Sequence, residues 1–288
     1  MLKLLKSIII WIVGLSFCGN FLNADNINDK NTSKYGSYNY IAFGFESINY
    51  QEIGTLSDGS SFISNATADS PVYLSGSLTR INEKYDFSID AISTLLPTQA
   101  DETWHADGVL ASTDKLELLV SSIKFLGQYK KTNNHRISSG LRYDLNLYKR
   151  HTYRDVSGNT MVDSDGNKIS LTEEKVATLS LMGGYIYENA PHSNGRYRYK
   201  FSALAGIPIW RNATNTGFKD ITYNSTTGYS YEIGGYFGYE IIKGLEIGMF
   251  ADYDYQIKTG GDKIDGVLWP ENTLKVFRSG LSFVWNFN

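Results

Sequence analysis

Cysteine, proline and long apolar runs are scarce in this chain of 288 residues. The only cysteine, Cys18, lies near the N-terminus, so a chain that loses this stretch forms neither a disulfide nor a thiolate metal site. Beyond residue 24 there is no apolar run of the ~18 residues that a membrane-spanning helix needs. Five prolines stand beside 21 tyrosines and 27 glycines, a composition that is unusual for a soluble enzyme.

The first residues have the organisation of a secretory signal. Lys3 and Lys6 form a short positive region, residues 8–17 form an apolar core, and Ala24 offers a small residue for cleavage. We expect residues 1–24 to be a signal peptide, because the apolar run is shorter than the ~20 residues of a membrane anchor.

Acidic residues exceed basic residues in the rest of the chain. Removing the two N-terminal lysines from the 27 basic residues leaves 25 against 30 acidic ones, a formal charge of −5. This balance gives no indication of nucleic-acid binding. We expect a flexible periplasmic segment over residues 25–35, followed by one domain over residues 36–288.

The last stretch, residues 273–287, alternates with a period of two. One face carries Phe277, Leu281, Phe283, Trp285 and Phe287, and the other carries Val276, Arg278, Gly280, Ser282 and Asn286. This alternation predicts a strand. Nine earlier segments show it as well, at about 36–50, 71–82, 84–96, 116–129, 135–150, 174–187, 196–210, 228–241 and 245–257. If the apolar faces meet lipid, Val72, Leu74 and Leu78 of the second segment point outward.

The connections between these ten segments alternate in length. The long ones are polar and cover residues 51–70, 97–115, 151–173, 211–227 and 258–272. The short ones cover residues 82–84, 130–134, 188–195 and 242–244. Long connections on one side and short turns on the other are typical of a membrane barrel with its long loops outside the cell. An even number of strands also closes the sheet without an edge.

The closing strand, which reaches Phe287 with one Asn after it, resembles the last strand of Gram-negative outer-membrane β-barrels. This resemblance implies an all-β, transmembrane antiparallel up-and-down β-barrel of about ten strands, with 8–12 possible, in the bacterial outer membrane. It implies long extracellular loops and periplasmic termini. The partners implied are outer-membrane lipid, lipopolysaccharide and the barrel-assembly machinery, whereas an extracellular ligand stays unknown.

Aromatic residues collect at the predicted periplasmic strand ends and are expected to lie at the lipid headgroups. These interface aromatics are Tyr85, Tyr129, Tyr187, Tyr197, Tyr239, Trp285 and Phe287. Trp210, near the opposite ends, falls on the inward face of this register. Trp104 and Trp269 fall in long loops, where they either contact a ligand or fold back on the rim.

The inward faces carry charges of both signs. The predicted lumen charges are Glu46, Asp86, Asp90, Lys124, Arg136, Arg142, Arg198, Lys200, Glu232, Glu246, Asp252, Asp254 and Arg278. Buried charges must be paired, so we expect a largely plugged, salt-bridged lumen in a protein with a structural or surface-interaction role. The alternative is a narrow channel for small solutes, since open aqueous pores belong to barrels of about 16 strands.

A second alternative is an enzyme at the rim, of omptin-like protease or lipid-modifying type. Ten strands and this length are similar to the omptins, whose activity needs an Asp–His pair and an acidic pair near the extracellular mouth. His105 and His151 lie on the predicted outer side, but neither has a matching motif around it, so no catalytic residue is carried over. We expect no enzyme activity and no cofactor. Residues 163–174 resemble a calcium loop but have Lys168 where glycine is required, so no metal is predicted either.

The predicted topology can be tested on intact cells. A protease site inserted near Gly158 should be cleaved, because it lies in a long outer connection, whereas a site at Asn133 should be protected. Immunoblotting after protease treatment measures both. The reverse pattern would invert the predicted orientation.

Overall fold

Antiparallel strands form the described part of the chain, which in this computed structural model comprises residues 36–55, 59–162, 165–169, 171–189 and 196–287. The predicted signal peptide and periplasmic segment lie outside these residues. The strands described are β1 (Ser37–Thr55), β2 (Ser61–Arg80), β3 (Tyr85–Thr94), β4 (Gln99–Ala106), β5 (Val109–Lys130), β6 (His135–Asp155), β7 (Leu171–Glu188), β8 (Tyr197–Asn215), β9 (Phe218–Tyr223), β10 (Tyr229–Ile242), β11 (Leu245–Lys258), β12 (Asp262–Ile264), β13 (Val267–Trp269) and β14 (Glu271–Phe287). No helix among the described residues is long and apolar enough to cross a membrane.

The main sheet closes on itself because β1 pairs with β2 on one side and with β14 on the other. Around the ring the order is β1, β14, β11, β10, β8, β7, β6, β5, then β3 and β4 together, and β2. β3 and β4 share one place between β2 and β5, while β9 pairs only with β8 and β12 with β13. The ring therefore has ten places, and the predicted all-β barrel of about ten strands is confirmed.

The outer face of the barrel carries a band of apolar side chains such as Phe43, Phe45 and Leu281, which are 49%, 72% and 54% exposed. Tyrosines and Trp285 border this band at the end where both described termini lie, which we call the terminal end. At the opposite, distal boundary the outward residue changes from apolar to charged along one strand after another: Leu147 to Lys149, Ala177 to Lys175 and Phe277 to Lys275. The apolar band is the part of the surface that suits a bilayer.

The prediction of five long loops at the distal end is wrong for most of their residues. β1 continues to Thr55, β2 begins at Ser61, and residues 97–115 form most of a β4–β5 hairpin with its turn at Asp107 and Gly108. The sequence was misread because outward residues become polar there, whereas strand pairing needs only backbone groups and a covered inner face. The wall of the barrel thus continues past the apolar band, and we call this part the distal extension.

Four residues in two strands also point in the direction opposite to the prediction. Val72, Leu74 and Leu78 of β2 point into the barrel and are at most 7% exposed. Trp210 points outward and is 47% exposed, because an extra residue in β8 shifts the register between Leu179 and Ser180 of β7. Such a bulge reverses the alternation of every residue that follows it.

A layer of buried apolar residues crosses the interior at the base of the distal extension. It consists of Ile48, Tyr50, Ala66, Ala68, Ala100, Leu116, Leu118, Val120, Tyr148, Val176, Ala213, Tyr223, Trp269, Leu274 and Val276. The rings of Tyr50 and Tyr148 are 4.7 Å apart although β1 and β6 lie four places apart in the ring. Side chains of this apolar layer therefore meet across the interior at this level.

Removing bulk from the apolar layer should destabilise the barrel. Leu118 is fully buried, so Leu118→Ala should lower the free energy of unfolding by ~2–5 kcal/mol through lost contacts and a cavity. Leu110→Ala is the matched control, because Leu110 lies on the same strand and is 41% exposed. Equilibrium unfolding in detergent micelles measures both, and equal small losses would contradict a packed layer.

Candidate functional site

The interior within the apolar band holds every one of the thirteen predicted lumen charges. Ten of them are buried, and the other three, Asp90, Lys200 and Asp252, line an internal cavity. The strands place them there because each occupies an inward position of the alternation. The charges form three groups, which we describe from the middle of the barrel outward.

The middle group links strands on opposite sides of the lumen. Arg142 on β6 donates to Asp144 at 2.7 Å on its own strand and to Asp254 at 2.9 Å on β11. Glu232 on β10 lies 3.7 Å from Arg142 and also accepts a hydrogen bond from Lys124 on β5. β6 and β11, like β5 and β10, are four places apart in the ring of ten, so these pairs span the interior.

The second group lies where the barrel closes. Arg278 on β14 donates to Glu46 on β1 at 3.1 Å and to Asp252 on β11 at 2.9 Å. Both contacts follow from the register, since Glu46 and Asp252 are the direct neighbours of Arg278 on the two adjacent strands. The planar guanidinium suits this arrangement because it donates in two directions at once.

The third group closes the terminal end. Arg198 donates to Glu188 at 2.6 Å and to Glu246 at 3.1 Å, while Arg136 donates to Asp86 at 3.0 Å and to the same Glu188 at 3.3 Å. Sequence analysis placed Glu188 in a turn. The alternation of β7 continues to Glu188, however, and could have identified it as an inward-facing charge.

An internal cavity of about 130 Å³ lies between the terminal and middle groups. Tyr38, Tyr40 and Tyr236 line it together with Lys200 and Asp90. The Tyr40 hydroxyl donates to Asp90 at 2.7 Å, and the guanidinium of Arg198 lies 4.4 Å from the Tyr38 ring centroid. The cavity contains polar groups among mostly apolar walls and is roomy enough to be hydrated.

A second cavity, which we call the distal cleft, opens in the distal extension and has a volume of about 260 Å³. Six aromatic residues line it: Phe62, Trp104, Tyr153, Phe218, Tyr223 and Trp269. Charged and polar groups line it as well: Glu52, Arg150, Thr172, Glu174, Thr214 and Asn215. None of these charged residues was among the predicted site residues, because all of them fall in or beside segments that were taken as loops.

Arg150 organises the charged side of the distal cleft. It donates to Glu102 at 2.7 Å and to Glu52 at 2.9 Å, and its guanidinium lies 5.4 Å from the Trp104 ring. Glu52 also accepts a hydrogen bond from the Tyr50 hydroxyl. These contacts hold two carboxylates beside one fixed cation.

Two further carboxyl groups in the distal extension have no such partner in the described structure. Burial, followed by the charge of Glu102, raises the pKa of Asp114 to about 8. Burial, followed by the charge of Glu52, raises the pKa of Glu174 to about 7. Both groups therefore hold a proton over much of the neutral range and can act as hydrogen-bond donors as well as acceptors.

The hairpin of β12 and β13 supplies one wall of the distal cleft. Trp269 is 2% exposed and its indole N–H donates to Glu174 at 3.3 Å. Lys258 lies 4.5 Å from the Trp269 ring and pairs with Asp262 at 3.1 Å. Trp269 therefore folds back on the rim, and it also lines the distal cleft.

Among the described residues, neither histidine on the predicted outer side has a hydrogen bond or ion pair to these carboxyl groups. His151 contacts Thr152 at 2.7 Å and Glu117 at 3.5 Å. Neither His105 nor His151 lines the distal cleft among the residues that the structure describes.

Removing the Arg278 side chain, which pairs with Glu46 and Asp252, tests whether the interior excludes water at this level. Arg278→Leu leaves Glu46 and Asp252 buried without their cation, so the free energy of unfolding should fall by ~3–5 kcal/mol. Lys275→Leu, on the outer face of the same strand, is the control and should change it by ~0.5 kcal/mol or less. The additional change Glu46→Gln should restore part of the loss. A loss below ~1 kcal/mol in equilibrium unfolding would indicate a water-filled lumen instead.

Known structures share this architecture, although no protein family and no curated protein sequence matches the chain. The outer-membrane protease OmpT from Escherichia coli superposes over 90% of this chain and 99% of its own, with a TM-score of 0.59 and 11% identity. The translocator domain of NalP from Neisseria meningitidis matches over 95% and 96%, with a TM-score of 0.36 and 8% identity. OprG from Pseudomonas aeruginosa matches over 89% and 98%, with a TM-score of 0.33 and 11% identity. At these identities the likeness concerns the fold alone, and the fold is that of an outer-membrane β-barrel.

Proposed function

We propose that this protein is an outer-membrane β-barrel with a closed lumen that carries a recognition surface on its distal extension, outside the cell. The observation on which this rests is contact between opposite walls of the barrel at several levels. A lumen that is filled in this way serves as a rigid scaffold, and the remaining surface available for a function is the distal end.

Three contacts across the ring support closure. The Tyr50 and Tyr148 rings meet in the apolar layer, Arg142 meets Asp254 in the middle, and Arg198 covers the Tyr38 ring near the terminal end. Each contact joins strands four places apart in a ring of ten. Ten-stranded barrels have little more room than side chains can fill, which agrees with this arrangement.

The distal extension supports an extracellular orientation. Its outer face is held by polar contacts, such as Lys149 with Glu117 at 3.0 Å and Gln99 with Glu117 at 3.3 Å. Strands that continue beyond the apolar band belong in water, and bacterial barrels carry their longer segments outside the cell. Both termini then lie in the periplasm, where an exported chain arrives.

A narrow channel is the second candidate, and the internal cavity between the terminal and middle charge groups favours it. Solutes would still have to pass the paired charges and the apolar layer. Protease activity, which the name of OmpT gives for that protein, receives no support from His105 or His151, since neither of these two histidines lines the distal cleft.

A conductance measurement distinguishes the closed scaffold from the narrow channel. Purified barrel in a planar lipid bilayer should give no ohmic single-channel steps, because the apolar layer fills the lumen. A general porin added to the same bilayer provides the positive control, and the shift of unheated protein in gel electrophoresis verifies folding. Reproducible conductance steps whose size changes in Arg142→Ala would refute the closed scaffold and support the narrow channel.

A further inference from the structure

We propose that the distal cleft binds one sugar unit of a glycan by stacking it on aromatic rings and hydrogen bonding its hydroxyls to the polar side. This inference deepens the proposed function, on which it rests for the extracellular position of the cleft. Neither the fold nor the predicted lumen charges assign a role to this cleft.

The aromatic walls supply one half of the recognition. Phe62 and Trp104 lie with ring centroids 5.7 Å apart, and Tyr223 and Trp269 with centroids 5.5 Å apart. Tyr223 and Trp269 are 4% and 2% exposed and form the base of the cleft, whereas Phe218 is 47% exposed and has a ring surface available to stack on a sugar. One face of a pyranose ring presents C–H groups, which are apolar and pack against an aromatic ring, while its edge carries hydroxyls.

The polar side supplies the other half. Hydroxyl groups donate and accept, so a site for them needs both kinds of partner. Glu52 and Glu174 offer acceptor oxygens, Arg150 offers N–H donors, and Asn215 and Thr214 offer both. A few polar groups placed among apolar walls are the usual composition of a small-molecule site.

The charge of the cleft favours a neutral ligand. Arg150 lies among the carboxyl groups and already pairs with Glu52 and Glu102, so a cationic ligand would meet a fixed positive charge beside it. The raised pKa of Glu174, about 7, reduces the negative charge at neutral pH. An anionic ligand is disfavoured too, because carboxyl groups outnumber the single guanidinium.

The size of the cleft limits the ligand to about one residue of a longer chain. Its volume of about 260 Å³ lies below the ~300–1,000 Å³ of pockets that enclose drug-sized ligands. A sugar in a glycan suits this limit, since its neighbours can remain in solvent while one ring enters the cleft.

Tryptophan fluorescence of the full chain, folded in a detergent without a sugar headgroup, can test this proposal. Trp104 and Trp269 line the cleft, so a bound sugar should change their emission with a saturable dependence on concentration. The probes are neutral oligosaccharides, namely O-antigen repeats without acidic sugars from Gram-negative lipopolysaccharide and desialylated N-glycans from animal cells, which separate a bacterial from a host source. Spermine is the cationic comparison.

Variants of the cleft should weaken binding without unfolding the barrel. Phe218→Ala and Tyr153→Ala should each raise the Kd of the best oligosaccharide about tenfold or more, equivalent to ~1.4 kcal/mol or more. Val156→Ala is the control, because Val156 is 64% exposed at the same end and does not line the cleft. Heat-modifiable migration verifies that each variant is folded.

Three results would overturn the proposal: no saturable response to either oligosaccharide set, tighter binding of spermine than of any oligosaccharide, or a Kd that is the same in all variants. The conductance experiment tests the closed scaffold independently of the glycan site. A barrel that conducts refutes the closed scaffold whatever it binds, whereas a silent, folded barrel that binds no oligosaccharide refutes the glycan site alone.

Discussion

An arginine that points into a closed sheet at membrane depth has neither lipid nor bulk water as a favourable surrounding, so it depends on carboxylates from other strands. Arg142 and Arg278 are each 1% exposed, and each meets two carboxylates within 3.1 Å. Asp254 lies across the ring from Arg142, and Glu46 lies across the β1–β14 seam from Arg278, so these two pairs can form only after the ring has closed. The interior of the apolar band is therefore specified by electrostatic pairing as well as by side-chain volume.

The distal extension relies on a different force. There the outer face meets water, and the apolar layer inside provides the hydrophobic burial that keeps the longer strands together. The layer also forms the base beneath the distal cleft, because Tyr223 and Trp269 belong to both. Stability of the extension and the shape of the cleft are consequently linked through the same side chains.

The two parts give the molecule a division of roles. Ion pairs between strands lie inside the membrane-spanning part, and the extension holds a cavity with aromatic walls and a polar side that contains Arg150. The structure of OmpT is similar to this barrel at 11% identity, and a fold does not by itself specify a site. The carboxyl groups of this cleft, and not the barrel, are what a ligand would distinguish.

The sequence by itself determined the class of fold, because alternation with a period of two and turns such as residues 82–84 are local properties of the chain. It also determined which charges point inward, since parity along a strand needs no knowledge of its neighbours. Parity was misjudged for Trp210, where one extra residue in β8 reversed the alternation, and for Val72, Leu74 and Leu78 of β2, whose apolar face is turned inward.

Only the tertiary structure decided how far the strands extend and which side chains meet. Polar residues such as Asp101 and Lys115 were assigned to a loop, because a strand in water and a loop share a composition until pairing is known. The distal cleft joins Glu52, Arg150, Glu174 and Trp269, which are up to 217 positions apart in the chain. No spacing in the sequence brings such residues together, since their proximity arises from closure of the ring and from the β12–β13 hairpin folding over its rim.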